Sequence, residues 1–166
     1  MNLETLNRYY DEGWLIRQNH PTLPLTIWNY SQTTQYEGKW DDVTMMCRGL
    51  ITDNNTGKIL VRPFPKFFNY EEVAGKGMIP TKGDYVYIQE KMDGSLGILF
   101  NYNDEWVMAT RGSFVSEQAI KGMEILRKYK YERLIKGFTY LFEIIYSENR
   151  IVCDYDFEDV VLLGVI

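Results

Sequence analysis

Residues 86–112 read VYIQEKMDGSLGILFNYNDEWVMATRG. Two runs rich in branched and aromatic residues, SLGILFNY (95–102) and EWVMATRG (105–112), flank Asn103-Asp104, a pair that tolerates the left-handed backbone of a tight hairpin loop. They predict two paired antiparallel strands. DYVYIQEK (84–91) has the same composition and predicts a further strand just before them. Between these stretches stands Lys91-Met92-Asp93-Gly94. Taken alone, the tetrapeptide is a tight turn at Asp93-Gly94 with Lys91 snorkelling at its edge, because a motif this short recurs by chance.

Working outward, LTIWNY (25–30), RGLITD (48–53) and KILVRP (58–63) are short, β-rich and bounded by turn formers, with Asn54-Asn55-Thr56-Gly57 as a hairpin loop. FTYLFEIIY (138–146) and DVVLLGVI (159–166) predict two more strands. Helical spacing of Leu3, Leu6, Tyr9, Tyr10 and Trp14 predicts an amphipathic helix over 2–18, ended by Pro21 and Pro24. A second helix is expected from about Ser116, an N-cap followed by acidic Glu117, with Ala119, Met123 and Leu126 on its apolar side and Gly137 closing the helical region. Strands dominate and βαβ alternation is absent, which predicts an α+β fold of antiparallel sheets flanked by a few helices. No repeat or linker divides residues 1–166, so a single domain is expected. An apolar strand running into the last residue adds the expectation that this domain is incomplete.

The 166 residues are 45% hydrophobic and 15% aromatic, enough to bury a core. A formal charge of −5 gives no global reason to bind a polyanion, so any such surface must be local. Two cysteines far apart and a single histidine give neither a disulfide framework nor a zinc site. No run approaches the roughly 18 apolar residues of a membrane span, and a soluble, cytoplasmic protein without membrane or protein partners is expected. From 117 to 136, Lys121, Arg127, Lys128, Lys130, Arg133 and Lys136 outnumber Glu117, Glu124 and Glu132. A solvated helix face accounts for them, and they are assigned no site.

A set of motifs in order along the chain changes the reading of Lys91: Cys47-Arg48-Gly49, Arg62-Pro63-Phe64-Pro65-Lys66-Phe67-Phe68-Asn69, Lys91-Met92-Asp93-Gly94-Ser95, Arg111-Gly112-Ser113, Phe142-Glu143 and Asn149-Arg150-Ile151-Val152. From about Trp28 to its end the chain resembles the nucleotidyltransferase domain of ATP-dependent RNA ligases of the T4 RNA ligase 1 type. The resemblance implies a nucleotidyltransferase, ATP-grasp-like fold in which Lys91 attacks ATP to form an AMP-lysine. AMP then passes to an RNA 5′-phosphate, which is joined to a 3′-hydroxyl, with Mg2+ or Mn2+ as the metal. No residue is assigned as its ligand.

The chemistry of the residues agrees with that implication. A lysine has a reference pKa of about 10.4, so a nucleophilic lysine needs desolvation or nearby positive charge. Arg48 and Lys66 could supply the charge and, by the resemblance, flank the triphosphate. Pro63, Pro65, Phe67 and Phe68 would hold Lys66 stiffly. Asp93 is expected to orient the lysine or the metal, and Gly94 to allow close backbone approach. Glu143 interrupts an apolar strand, where an unpartnered carboxylate is costly to bury. By the resemblance it meets the ribose; by alternation alone it would face solvent. Arg111 stands where the family commonly has lysine, Glu90 is expected at the adenine edge, and Met92 as packing.

Two other classes share parts of the pattern. DNA ligases and capping enzymes carry Lys-x-Asp-Gly but are not expected to match Pro-x-x-Lys-Phe-Phe-Asn or Asn-Arg-Ile-Val. A non-catalytic, truncated nucleotide- or RNA-binding relative is the other. The family's Glu-Gly and Lys-x-Lys motifs and further C-terminal domain would follow the segment matching Asp159 to Ile166, so little activity is expected of these 166 residues alone.

Overall fold

In the computed structural model, which describes residues 1–73 and 79–166, the inward and outward residues of each strand sort into separate cores. The first sheet runs β1 (Leu15–Asn19), β2 (Leu25–Tyr30), β3 (Arg48–Asp53), β4 (Ile59–Val61), in that spatial order. The second contains β5 (Ser95–Tyr102), β6 (Glu105–Thr110), β7 (Tyr140–Ile145) and β8 (Asp159–Val165), in the order β6-β5-β7-β8. Every pairing is antiparallel. Helices are α1 (Leu3–Asp11), α2 (Gln32–Glu37), α3 (Asp42–Met46), α4 (Tyr70–Val73) and α5 (Glu117–Leu126). The fold is therefore α+β with antiparallel sheets, as expected.

Side-chain alternation stacks the layers. Leu25, Ile27, Ile51 and Val61 of the first sheet meet Ile98, Phe100, Ala109 and Leu141 of the second in a core between the sheets. Their neighbours in sequence point the other way. Trp28 and Leu50 pack with Leu6 and Leu15 beneath α1, while Leu99, Met108 and Ile144 pack with Ile125 and Leu126 of α5. The result is helix, sheet, sheet, helix. Each wholly buried Leu or Ile contributes about 1.5–3 kcal/mol, so the alternation fixes register as well as stability.

Local signals set the element ends. Asn103 and Asp104 adopt φ of 49° and 70° in the β5–β6 loop, and Ser116 caps α5 by accepting the Ala119 N–H. The helix expected over 2–18 is shorter. Gly13, at φ 82°, takes the left-handed position of a Schellman cap: its N–H reaches the Tyr10 carbonyl and that of Trp14 reaches Tyr9. The chain turns there, and Leu15 pairs with Tyr30 at the start of β1. α2 and α3 were not anticipated, since each is too short to show a period. Ser31 and a capping box at Asp41 define their starts.

The strand expected over 84–91 does not form. Tyr85 is 100% exposed, Tyr87 95% and Ile88 93%, and no strand among the described residues lies beside them. β-rich composition becomes a strand only where it meets a ladder partner, and residues 84–91 meet none among the described residues. Among the cations after α5 begins, Lys121 pairs with Glu158 and Lys136 with Asp104, in keeping with a solvated surface. No helix among the described residues is long and apolar enough to cross a membrane.

Cys47 is wholly buried and its thiol is pushed up to about 12 by burial, whereas Cys153 is exposed. A thiol reagent at neutral pH should therefore titrate one cysteine rapidly in the native protein and the second only on unfolding. Two fast thiols would show that the core under α1 is open.

Candidate functional site

The two sheets close on each other at one end, and the close approach demands glycine. Gly49, at φ 94° next to Arg48, would place a Cβ 2.7 Å from Ile98 Cδ1 and 3.3 Å from the Arg111 carbonyl oxygen. Asn29 Nδ2 donates to that same carbonyl at 2.6 Å, and the Arg111 guanidinium donates to the Tyr30 hydroxyl at 3.4 Å. β2 and β3 of one sheet are thus tied to the end of β6 in the other.

Beside this seam lies a cleft of about 500 Å³ that brings together Arg48, Glu90, Lys91, Gly94 and Glu143, with Phe64, Phe67 and Met92 in its wall. Glu143 shares the face of β7 that carries Leu141 into the inter-sheet core, so it is turned inward and half-buried. The alternative, a solvent-facing carboxylate, does not hold. Burial pushes the Glu143 carboxyl above its ordinary range, against the opposing pull of the Gly94 N–H, which donates to Oε1 at 2.9 Å, and of the Lys91 and Arg48 charges. Arg48 projects from the start of β3 with its guanidinium 4.8 Å from the Phe67 ring centroid. Burial lowers the proton affinity of Arg48, partly offset by Tyr30 and Glu143.

At Gly94 the backbone comes so close to β7 that an added Cβ would stand 2.5 Å from the Ile144 carbonyl oxygen. Lys91 is exposed at the cleft. Asp93 lies in a different place, lining an adjoining cavity of about 250 Å³ with Arg150, Cys153 and Tyr155. Its Oδ2 accepts the N–H groups of Val152 and Cys153, both at 2.7 Å, and these bonds hold its carboxyl below the usual range.

Lys66 and Arg111 do not line the cleft. The Lys66 ammonium sits 4.6 Å from the Phe68 ring centroid and 5.4 Å from that of Trp40, and its backbone N–H bonds the Met45 carbonyl, so it is held as stiffly as its neighbours suggested. Arg111 is at the seam, 5.7 Å from the Tyr30 ring centroid. Met92 joins the cleft wall.

Sequence reasoning missed Asn29 and Tyr155, whose roles depend on partners far along the chain. The signal nearest to them was Asn149-Arg150-Ile151-Val152. Asn149 Oδ1 accepts from Ser95 Oγ at 3.0 Å and its Nδ2 donates to the Ile144 carbonyl at 3.2 Å, so this motif props the turn that carries Lys91.

Two consequences are measurable. Gly94→Ala should destabilise the fold by about 1–3 kcal/mol in chemical denaturation, because its methyl group meets backbone that cannot move aside as a side chain would. Glu143→Gln keeps an acceptor for the Gly94 N–H but removes the charge. A carboxyl raised in the folded state costs stability as pH rises through its unfolded value, so the variant should melt higher than the unsubstituted protein at pH 7 and lose that advantage below about pH 4.5. Parallel melting curves across this range decide it.

Comparison with known proteins bears on what such a cleft serves. A family model described as RNA ligase matches residues 46–166. A candidate bifunctional polynucleotide kinase/RNA ligase of Autographa californica nuclear polyhedrosis virus is 30% identical over 165 residues, covering 84% of this chain and 23% of the viral protein. A candidate RNA ligase of Thermovibrio ammonificans is 32% identical over 124 residues, 71% of this chain and 33% of that protein. An RNA ligase of Rhodothermus phage RM378 is 26% identical over 163 residues, 73% and 37% of the two chains. The chain thus spans 23% to 37% of the length of these curated relatives. With the family match extending from the end of α3 through β8, the protein belongs to the RNA ligase family.

Proposed function

We propose that residues 1–166 act as one nucleotidyltransferase domain of an RNA ligase, with Lys91 as the nucleophile. The observation that carries this reading is the convergence of Lys91, Arg48, Gly94 and Glu143 on one cleft, in a chain of the RNA ligase family. A volume of about 500 Å³ falls within the range of roughly 300–1,000 Å³ usual for small-molecule sites.

In the first step the Lys91 Nζ, having shed a proton to solvent, forms a bond to the α-phosphorus of ATP. The bond from that phosphorus to the bridging oxygen breaks, and its electron pair leaves with pyrophosphate. An RNA 5′-phosphate oxygen then displaces the lysine from AMP, returning the amine. A 3′-hydroxyl finally gives its proton to solvent as its oxygen bonds the 5′-phosphorus, and the phosphoanhydride bond breaks to release AMP and close the strand. Arg48 is placed to meet phosphate oxygens as charge develops on them, the kind of stabilisation that dominates phosphoryl transfer. Lys66 and Arg111 serve longer-range roles on the same charge from outside the cleft wall. Glu143 accepts from a ribose hydroxyl, and Glu90 faces the adenine edge.

Among the described residues no group of three or more His, Cys, Asp or Glu gathers to cage a metal. Magnesium commonly takes one or two carboxylates, or none, and completes its shell with phosphate oxygens and water, so no cage of protein ligands is required for it here. Mg2+ or Mn2+ bound mainly through phosphate oxygens and water would offset the negative charge of the triphosphate.

In a protein that carries the family's Glu-Gly and Lys-x-Lys motifs after these residues, incubation with ATP and magnesium should add the mass of one AMP, mapped to the peptide containing Lys91, and Lys91→Ala should abolish it. Since Lys91 is exposed, that substitution should change stability by no more than about 0.5 kcal/mol. An adduct on Lys66 would displace the assignment, and bound nucleotide without any adduct would favour the binding-only reading. Competition between 5′-phosphorylated RNA and DNA ends for the charged protein separates an RNA ligase from a DNA ligase.

A further inference from the structure

Lys91 receives no support from the chain before it, because residues 84–90 lie exposed without a ladder partner among the described residues. Its position is set from the other side. The Gly94 N–H donates to Glu143 on β7, and the Asp93 N–H donates to the Tyr155 hydroxyl at 3.0 Å. Two successive backbone donors are thus held by two different elements, and the Asp93 carboxylate adds Val152 and Cys153 to the grip.

Resting on the assignment of Lys91 as nucleophile, we propose that Tyr155 is a positioning residue for that lysine, acting through the backbone of Asp93. Tyr155 is suited to the task. Its ring is half-buried and packs against Phe157, with centroids 5.2 Å apart, which fixes where the hydroxyl stands. A phenol oxygen accepts one hydrogen bond while its own proton goes elsewhere, so it satisfies the Asp93 N–H without needing a charge. The Cys153 thiol lies beside it. The hydroxyl is in the adjoining cavity, away from the cleft, so it acts on the lysine's placement and not on the nucleotide.

Tyr155→Phe tests this, because it keeps the ring and deletes only the acceptor. AMP attachment to Lys91 is followed by mass over time at graded ATP in the protein extended by the family's Glu-Gly and Lys-x-Lys motifs, with melting temperature and the exchange rate of the Asp93 amide measured on the same variant. Loss of one backbone partner should slow the maximal rate about tenfold, since a nucleophile displaced by a fraction of an ångström loses alignment. Half-saturating ATP should stay unchanged, the melting temperature should stay within about 2 °C, and Asp93 exchange should accelerate. A maximal rate equal to that of the unsubstituted protein overturns the proposal, as does unchanged Asp93 exchange. A raised half-saturating ATP with an unchanged maximal rate also overturns it, placing Tyr155 in nucleotide binding. Absence of any adduct on the unsubstituted extended protein overturns the lysine assignment itself, and this role with it, an outcome distinct from a normal adduct in both proteins.

Discussion

The hydrogen bond from the Gly94 N–H to Glu143, made where Gly94 lies against the Ile144 carbonyl, is the constraint on which the rest of the site depends. It joins the turn before β5 to the middle of β7, and only a residue without a side chain can come that close. The same bond explains how a carboxylate is tolerated on the face of a strand whose neighbour Leu141 is wholly buried. A half-buried carboxyl without a donor would be costly; with one N–H and two nearby cations, it is retained.

Opposed requirements meet at this place. Packing would favour an apolar residue at position 143 and an open loop at 91–94. Instead the charge stays and the loop is gripped from two sides. Cations nearby are steadied on aromatic faces: Arg48 on Phe67, Lys66 on Phe68 and Trp40, Arg111 on Tyr30. Such seating limits the freedom of these long side chains, which lowers the entropy that any further contact with them would cost.

Most of the sheet was legible because alternation and turn chemistry are local. Asn103-Asp104, Ser116 and the runs at 25–30, 48–53 and 138–146 carried their own instructions. The misreadings have physical causes. Trp14 continued a helical spacing that Gly13 interrupts by adopting a left-handed conformation, and residues 84–91 had strand composition but pair with no strand among the described residues. Of the site, Glu143 was readable because charge stood where burial was expected. Asp93 was expected to orient the lysine or the metal, but its carboxylate is taken by backbone N–H groups 59 and 60 residues away, which no local pattern announces. Tyr155 and Asn29 were silent for the same reason.

That long reach has a kinetic side. The bonds that build the site, Gly94 to Glu143, Asp93 to Tyr155 and Asn29 to Arg111, span 49, 62 and 82 residues. The β5–β6 hairpin can close early on its own, whereas β7 must enter beside β5 after α5 has been laid down. Loop closure of this length is slow compared with local pairing. During synthesis the lysine turn therefore emerges well before the elements that hold it, and the cleft is among the last parts of the molecule to acquire its shape.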